Sequence, residues 1–209
     1  MFFDTLSSRT HLLKSIVISA FLITLILIFL PPEKTLGPVI KLVYLHAALV
    51  QTSLLLFVTA GVTGFLDLFL NRKRLYAWSM VSQKMAIITW VFYLLSSMIV
   101  TYLSWGVAIA WEEPRVQMSI RVFILSLVFF IVSVWLNNRK IGDIINIITA
   151  VLVVLLSLTA VNIRHPNNPV GESESVLYAI AFYFVLVLTM IFTLQLMRLI
   201  FKNTLEQKE

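Results

Sequence analysis

Apolar residues in this chain come in long runs broken by short polar stretches. They follow neither the three-to-four spacing of a half-buried helix nor the alternation of a half-buried strand. The runs cover residues 12–30, 39–70, 77–103, 116–136, 141–163 and 176–201. Pro31-Pro32 closes the first, Arg72-Lys73-Arg74 follows the second, and Asn137–Lys140 (NNRK), expected as a tight turn, separates the fourth from the fifth. A helix of about 20 apolar residues crosses a hydrocarbon core about 30 Å thick, whereas a barrel strand needs only about 10. The expected fold is therefore an all-α integral membrane protein, a six-transmembrane-helix bundle forming one transmembrane domain over residues 1–209. No small-residue cleavage pattern follows the first run, so that run is read as an uncleaved helix.

Composition agrees with the pattern. Of 209 residues, 60% are hydrophobic and 12% charged, against about 25% charged in an ordinary soluble domain. The net charge of +6 is then a matter of where the cations lie and not a sign of nucleic-acid binding. With both termini on one side, that side holds Arg9, Lys14, Arg72, Lys73, Arg74, Lys84, Arg139, Lys140, Arg198, Lys202 and Lys208. The opposite side holds Lys34, Lys41, Arg115, Arg121 and Arg164. The positive-inside rule makes the first side cytoplasmic, and a plasma or inner membrane is the expected location. The absence of cysteine excludes disulfides, thiolate metal sites and covalent haem attachment. No nucleotide-binding or metalloprotease motif occurs, and the chain is not expected to be an enzyme. Asp67, Lys84 and Asp143 fall near the cytoplasmic helix ends and are expected to be ion-paired or to snorkel. Ala60 and Gly64 form a small-xxx-small pair, which with Gly61 predicts close helix contact in the second run.

Chemistry concentrates at the other side. Trp105–Arg115 reads WGVAIAWEEPR and joins the third and fourth runs. His46 stands one to two turns into the second run, Arg121 about 1.5 turns into the fourth, and His165 in the last loop. Two readings stay open from the residues alone. The tryptophans anchor the chain at the headgroups, with the arginines on lipid phosphates or on Glu112 and Glu113. Alternatively, two imidazoles, stacking rings and arginines hold a flat metalloporphyrin.

The stretch WGVAIAWEEPR resembles the tryptophan-rich signature of the CcmC-type haem-handling family of cytochrome c maturation, in outline W-G-x-W-W-x-W-D-x-R. Trp105, Gly106 and Trp111 fall at matching spacing, Glu112 takes the acidic place, and Arg115 matches the closing arginine after one inserted residue. VYLHAAL resembles the family's Y-x-H-V-P segment and puts His46 on its first ligand histidine; LTAVNIRHP resembles the end of its fifth helix. The two central tryptophans are Ala108 and Ile109 here, the proline after the histidine is missing, and the W-N-x-x-H-Q context of the second ligand is absent, leaving His165. The resemblance implies transient, non-covalent haem with His46 and His165 as iron ligands and Trp105, Trp111, Arg115 and Arg121 around the ring. It also implies a function in cytochrome c-type biogenesis, with ABC-type transporter subunits and a haem chaperone as partners beside the lipid bilayer. The alternative is a non-haem structural subunit of a membrane transport or assembly complex. A small-molecule permease is disfavoured, because no buried charge is expected deep in the helices.

Overall fold

The structure, a computed structural model, describes residues 8–34, 36–161, 163 and 176–206. Among them every regular element is a helix: α1 (Arg9–Phe29), α2 (Ile40–Leu70), α3 (Lys73–Trp105), α4 (Pro114–Leu136), α5 (Arg139–Thr159) and α6 (Val176–Glu206). All six are long and apolar enough to cross a membrane, and the chain is a six-helix, multi-pass membrane protein. One end of the bundle carries the α2–α3 and α4–α5 turns and most of the cations; it is called the basic end below. The opposite, loop end carries the α1–α2, α3–α4 and α5–α6 connections.

Helix boundaries shift from the sequence expectation where polar residues join a helix. α3 begins at Lys73 rather than 77, so Lys73 and Arg74 extend it beyond its apolar run. The NNRK stretch is not all turn: Asn137 adopts the left-handed conformation that ends α4, and the Asn138 carboxamide accepts the Ile141 N–H at 3.2 Å. That cap starts α5 at Arg139, two residues before the apolar run, because a capped first turn tolerates charged side chains. α5 ends at Thr159, short of 163.

α2 is the hub, packing on α3, α5, α6 and more lightly α1, while α1 leans mainly on α6. Glycine makes the α2–α5 approach possible. A Cβ added at Gly61 would stand 2.6 Å from the Cβ of Ala150, and one at Gly64 would stand 3.2 Å from the Asp143 carbonyl oxygen. The expected small-residue seam is thus present, and its partner is α5. Gly142 of α5 in turn admits Tyr76 of α3 and Ser133 of α4.

Two apolar clusters flank this seam. One gathers Phe57, Met85, Trp90, Val122 and Val153 from α2 to α5 with Phe201 of α6, and Trp78 stacks on Phe201 at 4.4 Å. The other joins Leu30, Tyr44, Ala48, Phe182 and Val185 between α1, α2 and α6. The large apolar side chains left on the outside, such as Phe21, Phe65, Phe92, Trp135 and Phe184, form the lipid-facing surface expected of spanning helices.

Candidate functional site at the loop end

His46 lies on the second turn of α2, half-buried, with its ring 4.8 Å from that of Tyr93 on α3 at a tilt of 34°. Antiparallel packing of α2 and α3 brings these two positions level. Tyr93 is followed across the bundle by Ser119 of α4, its phenol oxygen 2.7 Å from the serine hydroxyl. Ser119 donates its one hydroxyl proton to the Arg115 carbonyl at 2.7 Å, so Tyr93 is the donor to Ser119. Trp90, one turn before Tyr93, donates its indole N–H to the Ser119 carbonyl at 3.0 Å. His46, Tyr93, Ser119 and Arg115 thereby form a continuous line from α2 to the start of α4. The ring contact sets the imidazole beside Tyr93, whose hydroxyl reaches the start of α4.

That segment has its own internal logic. α3 ends because Gly106 takes φ +75°, a left-handed conformation glycine adopts without penalty, and its N–H closes on Tyr102. Ala110 then turns inward, and Trp111 projects outward at 61% exposure. Glu113 precedes Pro114, which supplies the pre-set first residue of α4. The Glu113 side chain is only 2% exposed, and its carboxylate accepts the backbone N–H of Ile163 at 3.1 Å. The α3–α4 loop is therefore pinned to the chain leaving α5. Gln117 donates to the Trp111 carbonyl at 2.8 Å and accepts from Arg121 at 3.2 Å, an i,i+4 pair on the open face of α4.

Of the residues singled out in the sequence, His46 and Arg115 are joined by the line just described. Trp105 is half-buried at the end of α3, and Trp111 and Arg121 stand exposed at the same end of the bundle. His165 lies outside the described residues. Ala108 and Ile109 occupy the middle of the loop where the family signature has rings, one exposed and one half-buried. Sequence reasoning missed Tyr93, Trp90 and Ser119. A signal was present: Trp90 and Tyr93 are three apart on a helix and Ser119 follows Arg115 by four, so each pair shares a face. Sequence reasoning also offered both carboxylates alike as partners for the arginines, whereas the structure distinguishes them: Glu112 is exposed and Glu113 is a buried strut. Among the described residues no group of three or more metal-ligating side chains comes together. Any iron held here would depend on single ligands from separate elements.

No family model matches the chain, and no curated protein matches it.

Proposed function

We propose that the protein is a haem-handling membrane subunit of cytochrome c-type biogenesis, which takes haem at the outer face and passes it to a haem chaperone or apocytochrome. One observation carries this reading: the His46 imidazole is held by Tyr93 on the loop side of the bundle, in line with Arg115. An imidazole packed against Tyr93 has fewer orientations to lose on ligating iron, which suits axial ligation. Other groups at the same end of the bundle have the chemistry a porphyrin cargo calls for. Trp111 and the partly open Trp105 offer ring faces, and Arg115 and the exposed Arg121 offer guanidinium groups for the propionates. His165 supplies the second ligand in this reading. Haem brings only a coordinating iron and a planar ring; His46 holds it, the tryptophans cover it, and the arginines set its rotation. Transfer then needs ligand exchange and no covalent chemistry by this chain. ABC-type transporter subunits are the proposed neighbours, and the plasma or inner membrane the proposed location.

Haem titration of the purified protein, followed by visible absorption, tests the reading. A Soret band in the wild-type protein that is lost or strongly reduced in His46→Ala supports it. A protein that takes up no haem, or takes it up equally in His46→Ala, is the non-haem structural subunit instead.

A further inference from the structure

A second polar cluster lies at the opposite end of the bundle, in the seam between α2, α3 and α5, and it does not depend on the haem reading. Arg139, the first residue of α5, donates from Nε to Asp67 of α2 at 2.6 Å and pairs through a second guanidinium nitrogen with the other carboxylate oxygen. Asp143 follows Arg139 by one turn on the same face. Its side chain is 1% exposed, and neither of its oxygens receives a hydrogen bond. The Asp67 carboxylate, itself an acceptor, lies on the facing helix at this level: Arg139, one turn before Asp143, pairs with Asp67, and Gly64, three residues before Asp67, abuts Asp143. Farther along the seam, Asn146 is fully buried and donates to Ser79 Oγ at 2.8 Å and to Met80 Sδ at 3.6 Å, while Ser79 donates to the Ala60 carbonyl at 2.8 Å. The Asn146 carbonyl oxygen accepts nothing.

The count of donors is decisive. Arg139 donates to Asp67, the Asn146 amide donates to Ser79 and Met80, and the Ser79 proton goes to Ala60. Three buried acceptor oxygens, two on Asp143 and one on Asn146, are left without a donor. With both carboxylates ionised the cluster also holds one negative charge more than Arg139 balances. Burying an unpaired carboxylate is far more costly than burying a hydrogen-bonded neutral acid. Two carboxylates in contact resolve this when one proton lies between them. A metal cation would balance the charge equally well, but the packing disfavours it. On the Gly64 side there is no room for one, since a Cβ there would stand 3.3 Å from Asp143 Oδ1 and 3.0 Å from Ser79 Oγ. A proton needs no cavity.

We propose that Asp143 and Asp67 bind a single proton between them, forming a protonation site inside the bundle that bridges α2 and α5. The titratable and charged groups around Asp143 are Asp67 from α2, Arg139 from its own helix and Tyr76 from α3. α4 contributes Ser133 close by, which does not titrate in this range. Asp143 in its acid form donates to Asp67, so the proton completes the contact between the two helices that Gly61 and Gly64 bring together. Its removal places two like charges across that contact and drives the helices apart.

The test uses the full chain in detergent micelles or lipid nanodiscs. Infrared spectroscopy of the wild-type protein at neutral pH is expected to show a protonated carboxyl C=O band that shifts in heavy water, disappears at alkaline pH and is missing from Asp143→Asn. The folded state then keeps a proton that the unfolded chain has lost, so stability falls as pH rises above the ordinary carboxylate range. Relative to Asp143→Asn, the wild-type unfolding constant should rise about tenfold per pH unit there, until the folded site itself ionises. Absence of the band, its persistence in Asp143→Asn, or parallel pH profiles of the two proteins would overturn the assignment. So would a stability gain confined to the wild type when choline is replaced by sodium or potassium at constant ionic strength, because the site would then take a metal cation. Should Asp143→Asn fail to fold, the wild-type band, its loss at alkaline pH and its persistence in Glu113→Gln, which removes the one buried carboxyl outside the pair among the described residues, decide instead.

Discussion

The two ends of the bundle treat polar side chains in opposite ways. At the loop end, the polar groups form chains that run outward: Tyr93 to Ser119 to the Arg115 backbone, and Arg121 to Gln117 to the Trp111 backbone. They finish on main-chain carbonyls and leave Trp111 and Arg121 exposed. At the basic end, the polar groups turn inward: Asp67, Asp143, Ser79 and Asn146 are all sealed between helices that glycines allow to touch. The first arrangement suits an exchangeable, bulky ligand, because a rigid shell presents groups that are still open. The second suits a fixed helix junction whose one variable is a proton. Each end should accordingly tolerate damage that harms the other.

Arg139→Ala should have the largest effect. It leaves the proton-sharing Asp67–Asp143 pair with one buried negative charge and no cation, at a cost on the order of 3 kcal/mol, measured by unfolding in mixed micelles. Restoring charge balance with Asp67→Asn in the same chain should recover part of the loss. Haem affinity of the folded fraction should not change; a parallel loss would break the separation between the ends. Gly61→Leu should come next. The obstacle it meets is the Ala150 Cβ, which cannot swing aside, and such overpacking costs about 1–3 kcal/mol, read as lower thermal stability and folded yield. Tyr93→Phe removes one donor from a line whose other bonds remain, a loss of about 1 kcal/mol. It should also loosen the His46 ring and weaken haem uptake, which Arg139→Ala does not. Trp111→Ala should leave stability within about 0.5 kcal/mol, since the ring is exposed. It should weaken haem by roughly 1 kcal/mol, the scale of one stacking contact.

The six helices were legible because membrane crossing is a demand on length and composition, and each run meets it without help from its neighbours. The glycine seam was legible for a related reason: small residues gathered within about one turn of a helix, here Ala60, Gly61 and Gly64, have few uses besides close approach. Which helix they approach was not, because the α2–α5 pairing depends on Ala150 and on the backbone at Asp143 and Asn146, which nothing in the sequence pattern marks as partners. Asp143 shows the limit most clearly. Its position near a helix end suggested a snorkelling or ion-paired side chain, but its neighbour Arg139 pairs across to Asp67, and the face it occupies is the glycine-lined one. At the loop end, His46, Trp105, Trp111 and Arg115 stood out by type. The side chains that link His46 to Arg115, Tyr93 and Ser119, are common in helices and acquire meaning only when three helices meet. Glu113 likewise gained its strut role from a backbone N–H fifty positions away.

The most direct test of the loop-end site is ligand rescue. His46→Gly removes the imidazole and leaves a gap against Tyr93 that free imidazole fits. The haem-loaded wild-type protein is expected to show the absorption and paramagnetic resonance spectra of imidazole-ligated iron. His46→Gly should lose them, and added imidazole should restore them while Arg139→Ala keeps them throughout. Haem spectra that are unchanged in His46→Gly, or lost and not restored by imidazole, would contradict His46 as the iron ligand.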